Sequence, residues 1–258
     1  MKIAALQHNI AWEDAPATCT RVAPMIAEAA ADGADMVLLT EMFGPGFSLA
    51  ADRIAEPPGG PTEQFMAGQA AVHDIWVGGS IPTRDDPDGE PGALPVNRFL
   101  LVGPDGTQHH YDKLHPFTFA DEHEAYRAGD TPVTVTIDGL RLTLFVCYDL
   151  RFANAFWDRA LDTDAYLVVA NWPESRRDHW SALLVARAIE NQAYVVGVNR
   201  VGEANGLTYS GDTVIVDPSG EVVAEGVDYT EGVVMADVNP ARVAEVRDAF
   251  RFLPDRRD

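Results

Sequence analysis

Cysteine occurs only twice in this chain, at Cys19 and Cys147, and lysine only twice, at Lys2 and Lys113, against seventeen arginines. Two isolated thiols make no disulfide framework, which excludes a cross-linked secreted scaffold and points to a reducing, cytoplasmic setting. Positive charge is scarce as well: 19 lysines and arginines face 40 aspartates and glutamates, for a formal net charge of −21. Such a surface repels phosphate backbones and anionic bilayers, so neither nucleic acid nor a membrane is expected as a partner. The acidic excess also fits a salt-rich cytoplasm, while a GC-rich genome would equally replace lysine by arginine. No apolar run approaches the roughly 20 residues that span a bilayer. Met1 leads straight into Ile3-Ala4-Ala5-Leu6 and then polar Gln7, His8 and Asn9, so no signal peptide is expected. The seven histidines show no ligand spacing, and His109-His110 falls in a hairpin, so no metal is expected. Pro57-Pro58-Gly59-Gly60-Pro61 reads as a turn into a helix, not as a phosphate-binding loop.

What is present is a globular composition, 47% apolar, in a length that suits one α/β domain. Apolar β-branched runs alternate with amphipathic stretches. Strands are predicted at Lys2 to Gln7, Asp35 to Thr40, Ile75 to Ile81, Ala165 to Ala170, Tyr194 to Val198 and Gly232 to Val238. Hairpins are predicted at Asn97 to Tyr111, around Asp138-Gly139 between Val133 and Val146, and at Asp212 to Ala224. Helices are predicted at Pro16 to Ala31 with Pro24 as a kink or true start, and at Pro61 to His73, Ala153 to Leu161 and His179 to Asn191. A last helix starts at Asn239-Pro240, and Pro254 to Asp258 is a frayed tail. Arg84 to Gly92 reads as a solvated loop within one domain, and no internal repeat stands out. Crossovers and hairpins together predict mixed sheets, with helices flanking two sheets to bury so many apolar strands.

Three reactive residues fall at or just beyond strand ends: Glu41, Lys113 and Cys147. Ligand sites of α/β folds lie off the carboxyl ends of strands. A thiolate attacks a carbonyl or nitrile carbon, a carboxylate takes and returns the proton, and an ammonium stabilises the oxyanion. The cation is also expected to favour the thiolate form of Cys147, and the Tyr148 backbone N–H, at the turn after the thiol, is a second oxyanion donor. Each residue has an ordinary alternative reading: the cysteine as a small buried hydrophobe, the glutamate as a surface acid, the lysine as an exposed hairpin residue. A Cys–His hydrolase with His115 or His123 as base is a chemical rival.

The segments around these residues resemble the nitrilase superfamily of carbon–nitrogen hydrolases. Leu38-Leu39-Thr40-Glu41-Met42-Phe43 is similar to its general-base segment, Tyr111-Asp112-Lys113-Leu114-His115 to its lysine segment, and Val146-Cys147-Tyr148-Asp149-Leu150-Arg151-Phe152 to its nucleophile segment. The similarity spans a hydrolase domain of residues 1–242, leaving 243–258 as a C-terminal helix and tail. It implies an αββα four-layer sandwich, no cofactor, a homodimer joined face to face, and a second glutamate after the lysine. Glu122 has the better spacing to Gly129 for that role, ahead of Glu124. Glu41 to Phe47, Asp121-Glu122-His123, Ala170-Asn171-Trp172-Pro173 and Arg187 to Tyr194 most resemble the omega-amidase branch, which hydrolyses the terminal amide of 2-oxoglutaramate or 2-oxosuccinamate. Thr40 departs from the pattern, standing where proline is common, at a position expected to be without chemistry. The resemblance implies Glu41 as base, Cys147 as nucleophile, and Lys113 with the Tyr148 N–H as oxyanion donors. Glu122 would position Lys113 or the substrate amide.

An anionic substrate needs a local cation in so acidic a chain. Arg151 is the first candidate, with a structural ion pair to Asp149 as its alternative, and Arg176 and Arg177 follow. Asn171, Trp172, Phe117 and Phe119 are candidates for the pocket wall. An N-carbamoyl amidohydrolase, a nitrilase or a catalytically silent binding protein on the same fold remain open as alternatives.

Overall fold

Alternating apolar strands and one-sided helices must bury two kinds of face, and here they do so in layers. The computed structural model describes residues 1–85 and 93–256; most of the expected surface loop at 84–92 lies outside them. In chain order the elements are β1 (Lys2–Gln7), α1 (Ala15–Ala31), β2 (Met36–Leu38), α2 (Ala51–Ile54), α3 (Pro61–His73), β3 (Trp76–Thr83), β4 (Val96–Val102), β5 (Gln108–Asp112) and α4 (Glu122–Ala125). There follow β6 (Val133–Ile137), β7 (Leu140–Val146), α5 (Ala153–Trp157), β8 (Ala165–Val169), α6 (Arg177–Asn191), β9 (Tyr194–Val198), β10 (Val201–Ala204) and β11 (Leu207–Ser210). The chain closes with β12 (Val214–Val216), β13 (Val222–Glu225), β14 (Gly232–Asp237) and α7 (Pro240–Ala249).

One sheet runs β14-β1-β2-β3-β4-β5 and the other β6-β7-β8-β9-β12-β13. From the β14 edge and from the β6 edge the pairings follow the same order: antiparallel, parallel, parallel, antiparallel, antiparallel. The two halves are a repeated topology that the sequence does not display, because different apolar residues satisfy the same burial.

Side-chain alternation assigns the faces. Ile3 and Ala5 of β1 join the core between the sheets with Leu142, Leu144 and Val196, while Ala4 and Leu6 pack against Val22, Ile26 and Ala29 of α1 and Met66 and Ala70 of α3. Phe156, Trp180, Leu184 and Ala188 cover the second sheet with α5 and α6. The result is a four-layer αββα sandwich. Each fully buried Leu or Ile contributes roughly 1.5–3 kcal/mol, so packing between sheets, and not local propensity, holds a strand as short as β2.

Three local readings change. Pro24 neither kinks nor starts α1; it lies on the exposed face, where water can satisfy the carbonyl its missing N–H leaves free. The helix expected to reach Leu161 stops at Trp157 and gives way to a 3₁₀ turn at Ala160–Asp162, because the chain must reverse to enter β8 parallel to β7. The β10–β11 hairpin was not predicted at all. At the C-terminus, α7 is capped by Asn239, whose Oδ1 accepts from Ala241 N–H at 2.9 Å, and it runs across the expected boundary at 242 with Val243 in the shared core.

Candidate active site

The first sheet brings a buried charge cluster to one edge. Beyond β2 the chain turns through Glu41 and Met42, the latter at φ +40°. Lys113 follows β5 directly, its backbone N–H held by the Asn97 carbonyl at 3.0 Å. Its Nζ lies 2.8 Å from Glu41 Oε1, and 2.8 and 3.1 Å from the two oxygens of Glu122, which opens α4. None of these side chains is more than 1% exposed. Burial opposes the Lys113 ammonium, but Glu122 and then Glu41 outweigh it and hold its pKa well above the ordinary lysine range. Burial is also the main force on Glu122, pushing its carboxyl up, with Lys113 opposing and Glu41 reinforcing. Gly129 makes the arrangement possible. Its N–H bonds the Lys113 carbonyl at 2.8 Å, and a Cβ there would fall 2.2 Å from the Asp112 carbonyl oxygen.

Further donors complete the cluster. Asn97 Nδ2 donates to Glu41 Oε1 at 2.9 Å and reaches Glu122 Oε1 at 3.2 Å. The Asn171 N–H donates to Glu41 Oε2 at 2.9 Å, and its side-chain amide donates to the Glu41 carbonyl. The Phe117 N–H donates to Glu122 Oε2.

The second sheet supplies the thiol. β7 ends at Val146 and Cys147 enters a 3₁₀ turn, Cys147–Arg151, at φ +47°, a left-handed backbone that side chains other than glycine adopt sparingly. Asp149 anchors that turn: its Oδ2 accepts the Val146 N–H at 3.0 Å and the Tyr111 hydroxyl at 2.7 Å, while Oδ1 accepts the His115 N–H at 3.0 Å and contacts His115 Nδ1 at 2.7 Å. The nucleophile turn is thereby tied to the segment that carries Lys113. Burial, then the Glu41 charge, pushes the Cys147 thiol well above its usual range, with Lys113 opposing. Lys113 acts toward the thiolate, as expected, but burial and the Glu41 charge outweigh it. Glu41 lines the same cavity as the thiol and its charge is the second cause of that rise.

Above these residues opens a cavity of about 420 Å³, with Glu41, Lys113 and Cys147 in its lining and Trp12, Phe47, Phe117, Trp172, Leu207 and Tyr209 among its walls. Two guanidiniums enter it. Arg151 stacks 4.5 Å above the Trp172 ring and Arg176 5.4 Å from the Phe117 ring, and neither pairs with a carboxylate among the described residues. Burial, then the neighbouring Arg176, disfavours the charged form of Arg151.

Residues 2–248 match the carbon-nitrogen hydrolase family. The chain belongs to that family. The omega-amidase YafV of Escherichia coli (strain K12) is 41% identical over 97% of this chain and 94% of its own length. A 2-oxoglutaramate amidase of Bacillus subtilis (strain 168) is 32% identical over 99% of this chain and 97% of its own. The solved structure of XC1258 from Xanthomonas campestris, a CN-hydrolase superfamily protein with an arsenic adduct in its active site, superposes with a TM-score of 0.93 at 36% identity, covering 100% of this chain and 97% of that one.

In this carbon–nitrogen hydrolase the four candidates Glu41, Lys113, Cys147 and Glu122 converge, whereas Glu124 is exposed beside His123. The alternatives for single residues fail on geometry: Lys113 is buried, and Asp149 is occupied by Tyr111, His115 and Val146, so it forms no ion pair with Arg151. Neither His115 nor His123 lines the cavity, which removes the support for a Cys–His pair. Tyr148 lines it, and its N–H, in the first turn of a helical segment, has no intrahelical acceptor. Trp172 and Phe117 are walls, but Phe119 is 84% exposed and turned away. Arg177 is engaged by Asp212 and Asp228 instead of facing the cavity. Asn171 reaches the cavity while its backbone N–H serves the Glu41 carboxylate and its side-chain amide the Glu41 carbonyl, and its Oδ1 has no partner among the described residues. Thr40 is not idle structurally, since its hydroxyl lies 3.2 Å from Nε2 of buried His8. Sequence reasoning missed Asn97, Ser80, Tyr111 and Asp149. Only the last two lay inside recognised segments, and no local signal marked the first two.

Proposed function

We propose that this hydrolase cleaves the terminal amide of a short 2-oxo dicarboxylic acid monoamide, 2-oxoglutaramate or 2-oxosuccinamate, releasing ammonia. The observation that carries the reading is the pair Arg151 and Arg176, two cations in the cavity with no carboxylate partner among the described residues, in a chain with net charge −21. A substrate carboxylate supplies what they lack, while its amide reaches Cys147. The names borne by the similar proteins from Escherichia coli and Bacillus subtilis support the same chemistry.

The steps follow from the contacts. Glu41 takes the Cys147 proton as sulfur attacks the amide carbon, so the high thiol pKa is met by a base that lines the same cavity. An ammonium has three donors; with two directed at Glu41 and Glu122, the third serves the oxyanion together with the Tyr148 N–H. Glu41 returns the proton to departing ammonia, leaving a thioester, and then activates the water that hydrolyses it. Glu122 holds Lys113 in place. No cofactor enters any step. We further infer a homodimer, supported by the groove of Ile189, Val246, Phe250 and Phe252 beside α6 and α7, and a cytoplasmic setting, supported by the two cysteines that make no disulfide framework.

Ammonia release across 2-oxoglutaramate, 2-oxosuccinamate, glutamine, a β-ureido acid and a simple nitrile tests the proposal. The two 2-oxo amides should lead by a wide margin, and Cys147→Ala should abolish turnover. Preference for the ureido acid or nitrile would transfer the enzyme to another branch of the family, and no turnover of any compound would favour the binding-protein alternative.

A further inference from the structure

We propose that Asn97 is a positioning residue of this reaction, the hub that sets the Glu41–Lys113–Glu122 geometry and keeps Glu41 available as a base; this rests on the catalytic roles given above. Asn97 is 1% exposed and touches all three members. Its carbonyl receives the Lys113 N–H at 3.0 Å, and its Nδ2 donates to Glu41 Oε1 at 2.9 Å and Glu122 Oε1 at 3.2 Å. Ionised carboxylates only accept, so the amide must present its NH₂ to them and its oxygen elsewhere. Ser80 enforces that orientation. Its hydroxyl accepts the Met42 N–H at 2.8 Å, which leaves its own hydrogen for Asn97 Oδ1 at 2.7 Å. The directed chain thus starts at the backbone beside Glu41, passes through Ser80 and Asn97, and returns to the Glu41 side chain. It locks a left-handed turn at Met42 that would otherwise aim the carboxylate loosely.

The chemical consequence concerns charge. Two carboxylates face one ammonium in a buried cluster, and a shared proton would relieve their repulsion at the expense of the base. Asn97 places a neutral donor between them, favouring the ionised forms without itself titrating. The other titratable groups facing the cluster are Cys147 and Tyr126, whose pKa values burial and the charges of Glu41 and Glu122 push up, so both stay neutral beside it.

Asn97→Ala, Asn97→Asp and Ser80→Ala, assayed for ammonia release from 2-oxoglutaramate with full pH profiles, test the role. In Asn97→Ala, kcat should fall about 10- to 100-fold, the scale of a hydrogen bond to a charged group. KM should be nearly unchanged, and the acid limb of kcat/KM should move to higher pH. Asn97→Asp should be worse at neutral pH and recover in part as the new carboxyl takes up a proton and can donate. Ser80→Ala should shift the acid limb in the same direction by less, and it decides the matter if the Asn97 variants do not fold. An acid limb left in place, or a rise in KM alone, overturns the proposal. Cys147→Ala separates the two levels: if it still turns over, the underlying mechanism has failed, whereas an inactive Cys147→Ala beside unmoved Asn97 and Ser80 profiles sinks only the role of Asn97.

Discussion

The two halves of the sandwich share one order of strand pairings and put different chemistry at equivalent places. β1 in the first half runs into His8; its counterpart β7 runs into Cys147. β2 leads to Glu41, whereas β8 leads to Asn171 and Trp172. Between β3 and β4 a hydroxyl–amide pair, Ser80 and Asn97, holds Glu41. Its counterpart between β9 and β12, Asn199 and Thr213, holds Trp172: Asn199 Oδ1 accepts the Trp172 N–H at 2.7 Å, and Asn199 Nδ2 donates to the Trp172 carbonyl at 2.9 Å. The first half therefore carries the carboxylates and the ammonium, saturated with partners and out of solvent. The second carries the thiol, a wall of aromatics and two guanidiniums that pair with no carboxylate among the described residues. A repeated scaffold fixes where groups stand, and the side chains at its strand ends decide which half moves protons and which receives substrate.

The contrast can be broken most forcefully at Lys113. Lys113→Met leaves two buried carboxylates without a cation, and denaturant unfolding should show a loss of about 3–5 kcal/mol together with loss of turnover. Lys113→Arg should keep more of the stability yet lose nearly all activity, because a planar fork cannot replace a point donor among three acceptors. Near-normal kcat in that variant would contradict the oxyanion role.

On the second half, Arg151→Ala should raise KM for 2-oxoglutaramate by about 10- to 100-fold with a smaller change in kcat. A neutral amide such as propionamide should be affected little. Equal effects on charged and neutral substrates would show that Arg151 holds the wall and not the carboxylate.

The smallest effect belongs to His8, the first-half counterpart of Cys147. Burial is the main cause that lowers its pKa from 6.5 to about 4. Between those values the unfolded chain binds the proton and the folded state does not, so the stability from neutral His8 is complete above pH 6.5 and is lost as pH falls toward 4. By pH 5.5 the loss is about 1 kcal/mol, and His8→Gln should flatten that part of the curve. A limb of unchanged slope would mean that other groups set it.

Strand ends and helix faces were legible because alternation and helical spacing are local: β1, α3, β6, β7 and β9 fall where periodicity puts them. Arg151 was legible as a cation the pocket would need, but its alternative pairing with Asp149 could only be dismissed once Asp149 was found occupied. Asn97 and Ser80 were illegible. A buried amide and hydroxyl within apolar strands look like ordinary strand residues until the register of β3 with β4 brings them together.

By itself the sequence determined the layered α/β class and, through three ordered segments, which thiol, carboxylate and lysine are the candidates for the chemistry. Both are written in residue type and spacing along the chain. The tertiary structure decided the direction in which the Cys147 thiol is shifted, the partners that hold Glu41 and, among the described residues, the lack of a carboxylate partner for Arg151 and Arg176. These depend on burial and on contacts between residues far apart in sequence, such as Glu41 and Asn171. Cys147, one of only two cysteines, is thus marked by its segment as the candidate nucleophile, while desolvation and the Glu41 charge push its thiol above the usual range.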